Sequence, residues 1–88
     1  MKTFWYNNSK NIVGRRVRLA RKRMKESVTQ QDLSARMGVM GINIDRVSIS
    51  KIESGHRFVA DFEVVALAQA LDVTVEWLLK GDQNELVK

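Results

Sequence analysis

Four times from Thr29 onward, a Thr or Asp stands directly before a run of residues with helical apolar spacing. The four are Thr29, Asp45, Asp61 and Thr74. Three of these runs stop at a glycine: Gly38, Gly55 and Gly81. A Thr or Asp oxygen can accept a first-turn backbone N–H, and a glycine relaxes the chain past the last turn. The sequence has no proline, so caps and glycines are its punctuation. It has no cysteine either, which removes disulfides and thiolate metal sites as sources of stability. A chain of 88 residues punctuated this way must be held by short helices packed on one another.

Helix 1 is expected from Asn11 or Ile12 to Lys25, because Val13, Val17, Ala20 and Met24 make one apolar stripe. Arg15, Arg18, Lys22 and Lys25 line another face, read mainly as solvated surface. Helix 2 follows the Thr29 cap, with Asp32 at the N3 position and Leu33 and Met37 inward, and is expected to end at Gly38. Residues 39–44, with the turn formers Gly41 and Asn43, lead to helix 3, capped by Asp45 and ended by Gly55. Its inward residues are Ile49 and Ile52, while Arg46, Val47, Ser50, Lys51 and Ser54 share the other side. Helix 4 is capped by Asp61 and turns Val64, Val65, Leu67, Ala68 and Leu71 inward; helix 5 runs from the Thr74 cap to Gly81. The expected fold is an all-α, five-helix orthogonal bundle over residues 11–81. A polar and aromatic N-terminal arm (1–10, with Phe4, Trp5 and Tyr6) precedes it, and a frayed tail (82–88) follows.

The charge is divided along the chain. Residues 1–57 carry 13 Lys and Arg against 4 Asp and Glu, whereas residues 58–88 carry 2 against 6. Plain surface solvation predicts no such split, so the basic part is expected to meet a polyanion. No apolar run approaches the roughly 18 residues of a membrane span, and the first ten residues lack the apolar segment of a signal peptide. A cytoplasmic protein with no membrane partner is expected. No nucleophile motif, phosphate-cradling glycine loop or metal-ligand spacing occurs, and the one histidine, His56, stands beside Gly55 without a cysteine or carboxylate pair. The expectation is therefore no enzyme, no metal and no cofactor.

A short capped helix, a turn and a second capped helix with an exposed basic and hydroxyl-bearing face suit the DNA major groove. The residue strings are more specific. VGRRVRLAR, TQQDLSARMGV, ISKIESGHR and LAQALDVTVEWLLKG occur in the order of, and resemble, the phage-repressor/Cro type of helix-turn-helix, the XRE family, over about residues 12–81. The resemblance implies a lambda-repressor-like domain that binds double-stranded DNA as a sequence-specific transcriptional regulator, with repression favoured. It implies that Arg46, Val47 and Lys51 face base edges, and that Gln30 and Arg57 hold backbone phosphates. It also implies that Arg21 and Glu53 form an ion pair tying helix 1 to helix 3.

Three departures from the family pattern stand out. Six residues, not about two, separate Gly38 from Asp45, so the turn is expanded, with Ile42 and Ile44 as its expected anchors. Ser34 replaces a common alanine where helices 2 and 3 meet, and Val59 replaces the usual proline before helix 4. A homodimer on an inverted repeat is expected, touching through Trp77 and Leu78. The alternative is an antitoxin-like interaction module that also binds its own promoter. An RNA-binding role would have to lean on Phe4, Trp5 and Tyr6 for base stacking.

Overall fold

The computed structural model describes residues 8–81, which form α1 (Gly14–Arg23), α2 (Gln30–Val39), α3 (Arg46–Glu53), α4 (Asp61–Leu71) and α5 (Val75–Lys80). Among the described residues there is no strand, and the all-α five-helix architecture is as expected. No helix among them is long and apolar enough to cross a membrane. The aromatic triplet Phe4-Trp5-Tyr6 and the tail 82–88 lie outside the described residues.

Three of the four expected caps are in place. Thr29 Oγ1 accepts the Asp32 N–H and Asp32 Oδ2 accepts the Thr29 N–H, both at 3.0 Å, so α2 opens on a reciprocal capping box. Asp45 Oδ1 accepts the Ser48 N–H at 2.7 Å, and Thr74 Oγ1 accepts the Trp77 N–H at 2.9 Å. The fourth differs. Ala60 holds the cap position of α4 and Asp61 is the first helical residue, while Glu63 reaches back to accept the Ala60 N–H at 2.9 Å. Helix α1 is shorter than its apolar stripe suggests. Asn11 Oδ1 accepts the Gly14 N–H at 2.7 Å and sets the start, and Met24 is already extended at ψ 145°.

Helix α2 does not stop at Gly38 but continues to Val39. The left-handed residue is Gly41, at φ +83°. The Gly41 N–H bonds to Gly38 O and the Ile42 N–H to Met37 O, both at 3.0 Å, closing the helix around that glycine. Part of the expanded turn is thus additional helix, and Ile42–Ile44 carries the chain to the cap of α3.

Val13, Val17, Leu33, Met37, Ile49, Ile52, Leu67 and Leu78 are the largest fully buried side chains and draw on every helix. Ile44 is buried with them and Ile42 packs against them, whereas Val39 is 89% exposed. On α4 the buried face includes Ala66 and Ala70, and Val65, expected inside, is exposed. The start of α1 presses on the end of α3 so closely that a Cβ on Gly14 would collide with the Ile52 carbonyl oxygen. Asn11 Nδ2 donates to that oxygen at 3.0 Å and to Arg57 O at 2.8 Å, stitching the same contact.

Some of the basic residues serve as internal struts. Arg16 donates to Ile12 O and Leu78 O, joining α1 to α5, and Arg36 donates to Ala70 O, joining α2 to α4. The Leu78 and Ala70 carbonyls lie in the last turns of α5 and α4, where no intrahelical donor reaches them.

Candidate nucleic-acid interface

At about 3.6 residues per turn, Arg46, Val47, Ser50, Lys51 and Ser54 fall on one arc of α3, opposite Ile49 and Ile52. The two isoleucines are fully buried, and Arg46, Val47, Lys51 and Ser54 are exposed. Asp45 fixes where the helix begins and so places Arg46 in its first turn. The cap's bond to the Ser48 amide holds the Asp45 carboxyl below its ordinary pKa, so it stays ionised at neutral pH. The three side chains expected to face bases, Arg46, Val47 and Lys51, therefore share one solvent-facing surface whose axial position is fixed by a cap.

Behind this surface, Arg21 and Glu53 meet in a two-pronged ion pair. Nε to Oε2 is 2.8 Å and Nη2 to Oε1 is 2.9 Å, with the side chains 10% and 5% exposed. The Arg21 guanidinium also donates to Val28 O at 2.9 Å, which ties in the segment entering α2. Glu53's hydrogen bond is the main cause that raises the Arg21 pKa above its ordinary value. Gln30, the first residue of α2, donates its side-chain amide to Glu53 Oε1 at 3.1 Å. One carboxylate thus positions residues of α1 and α2 against α3.

Arg57 is placed differently from the expectation. Its guanidinium donates to Glu63 Oε1 at 2.9 Å and Oε2 at 3.0 Å, and also to Phe58 O at 3.0 Å. With Nη1 and Nη2 engaged there, Arg57 clamps the α3–α4 loop to the start of α4. Arg57's hydrogen bonds hold the Glu63 carboxyl below its ordinary pKa. His56 is exposed, with Nδ1 2.8 Å from Ser54 Oγ. Leu78 is fully buried in its own core and is removed from any surface contact, while Trp77 is half-buried with Arg23 stacked over its ring at 6.0 Å.

Two residues read as plain solvated surface have a more defined setting. Arg18 and Lys22 line a cleft of about 290 Å³ together with Gln30, Ser50, Ser54 and the Arg21–Glu53 pair. Their signal in the sequence is an i, i+4 basic pair flanking Arg21 on an α1 that carries no acidic residue.

Residues 17–78 match the family model described as helix-turn-helix. No curated protein matches the chain. Among solved structures, the chain is similar to the P22 c2 repressor protein in complex with a synthetic operator. The two are 30% identical, the match covers 82% of this chain and 98% of that one, and the TM-score is 0.66. The family match over most of the chain and this likeness agree, and the chain belongs to the helix-turn-helix family of the XRE, phage-repressor type.

Proposed function

We propose that this protein is a sequence-specific, double-stranded-DNA-binding transcriptional regulator acting as a repressor, and that it has no catalytic role. The observation that carries this reading is the exposed arc of α3. A cap, two buried isoleucines and a buried ion pair hold it in place, in a chain similar to a repressor seen in complex with a synthetic operator. Arg46 and Lys51 read base edges, since arginine can donate two bonds to guanine O6 and N7 and lysine can reach the same acceptors. Val47 contacts a thymine methyl. Gln30, held by Glu53, uses its remaining amide hydrogen on a phosphate beside the positive end of α2. Binding occurs as a homodimer on an inverted repeat, because a single α3 spans few base pairs and a two-fold pair doubles the contacts. The half-buried Trp77 borders an apolar groove with Met24, Leu71 and Val73, and this supports placing the dimer contact there. The site of action is the cytoplasm.

Selecting bound duplexes from a random DNA pool tests the reading. Enrichment of one inverted-repeat motif is the expected result. Recovery of unenriched sequence would refute specific binding, and one protein per selected duplex at saturation would refute the dimer.

A further inference from the structure

We propose that the groove bordered by Trp77 is a ligand site for a small aromatic monocarboxylate, whose binding displaces the second copy of the chain. The ligand site stands on the groove itself. The displacement rests on the dimer reading above.

The groove follows from where three helices stop and start. Helix α1 gives way at Met24, whose ψ of 145° extends the chain, and α4 gives way at Asp72, left-handed at φ +56°. Helix α5 begins only after Thr74. The groove encloses about 670 Å³, within the usual range for sites that hold small molecules. Its apolar lining is the buried Ala20 and Leu71 with the half-buried Met24, Val73 and Trp77. An aromatic ring suits this lining, since the indole offers a face to pack on and the Met24 thioether a polarisable contact.

The polar lining selects the charge. Arg23 and Lys25 are exposed at the groove, and among the described residues no carboxylate pairs with either. The Arg23 guanidinium stands 6.0 Å from the centre of the Trp77 ring, so a carboxylate bound to it keeps its own ring beside the indole. Thr74 Oγ1 already accepts the Trp77 N–H, which leaves its hydroxyl proton to donate. Asp72 is the only carboxylate among the lining residues. Two cations against one carboxylate favour a monoanion and oppose a dianion. Ligand and second copy cannot cover the same Trp77 and Met24 surface together, so binding of one expels the other. A regulator built this way leaves its operator as the acid accumulates.

Naphthoate is the probe, titrated into the full chain and followed by amide and indole NMR shifts. Saturable shifts centred on Met24, Val73 and the Trp77 indole are the expected result. Neutral naphthamide and doubly charged naphthalene dicarboxylate should each bind about tenfold more weakly, the loss of one charge-assisted contact. The double variant R23A/K25A should keep wild-type melting, since both side chains are exposed, and lose naphthoate affinity by a similar factor. Shifts that do not saturate or that centre elsewhere would overturn the site, as would equal affinity for naphthoate and naphthamide. Sedimentation tests the displacement: naphthoate should convert the wild-type dimer to monomer and weaken its binding to a duplex selected from random DNA. A dimer that persists with the groove saturated would overturn the displacement. A wild type that stays monomeric on that duplex would overturn the dimer reading and the displacement with it, while the NMR titration still decides the ligand site.

Discussion

The Ser34 hydroxyl donates a 2.6 Å hydrogen bond to the carbonyl oxygen of Ile44. Two departures from the family pattern, the serine in α2 and the longer connection to α3, are therefore one feature. The added segment brings a carbonyl against α2 just before the Asp45 cap, and an alanine at position 34 would leave it without this donor. Ile44, buried beside it, anchors the segment by its side chain while Ser34 anchors it by its backbone.

Ser34→Ala should accordingly cost about 1–3 kcal/mol, the penalty for a shielded carbonyl left unmatched. Val39→Ser, at an 89% exposed position, should change stability by less than about 0.5 kcal/mol. Chemical denaturation of the two variants checks the contrast, and equal effects would show the connection to be held some other way.

The Arg21–Glu53 pair should be costly to break from one side. With both side chains nearly buried, Glu53→Ala strands the guanidinium and should destabilise by roughly 3–5 kcal/mol. It also releases Gln30, so binding should weaken even where the fold survives. A double-mutant cycle of R21A and E53A should show strong coupling. Additive losses would mean that the residues contribute separately.

Arg57 and Glu63 predict a pH effect. The Glu63 pKa is lowered in the folded protein, so its stabilisation is fully present above the unfolded-state value of about 4.3 and is lost as pH falls through the lowered folded value. Asp32 and Asp45, lowered by their caps, act in the same direction. Thermal melts should therefore decline on acidification below about pH 4. E63Q should be less stable at neutral pH and show a shallower acid decline. R57A should lower stability by roughly 1–3 kcal/mol and leave the salt dependence of DNA binding unchanged. A reduced salt slope would restore Arg57 as a phosphate contact.

Gly14→Ala probes the join between α1 and α3. The added methyl meets the Ile52 backbone carbonyl and not a movable side chain, so the helices must separate. The expected cost is about 1–3 kcal/mol despite alanine's better helix propensity. A stabilised variant would show that the contact is slack.

What was legible in the sequence was local. Thr29, Asp45 and Thr74 cap their helices through bonds to residues three positions on, so the sequence alone places them. Local pattern does not suffice where a distant or competing partner decides. Asp61 has a capping side chain, but Glu63 reaches back to Ala60 and moves the cap one residue earlier. Gly38 resembles a helix stop, yet the positive φ falls at Gly41, where Ile42 can close on Met37. Arg57 resembles an open cation until folding brings Glu63 to it. The cleft of Arg18 and Lys22 needs three helices to exist, and so was invisible in any one of them. The exposed arc of α3 was legible because a helix that buries Ile49 and Ile52 must present its other side.

If the exposed arc of α3 reads DNA sequence, base preference must change when its side chains are removed. Binding profiles from a random pool should be compared for wild type, Arg46→Ala and Lys51→Ala. Each substitution should cost about 1–3 kcal/mol on the preferred site and relax the preference at its own base pair, leaving other positions unchanged. Profiles for both variants identical to wild type would mean that α3 holds the duplex without reading it.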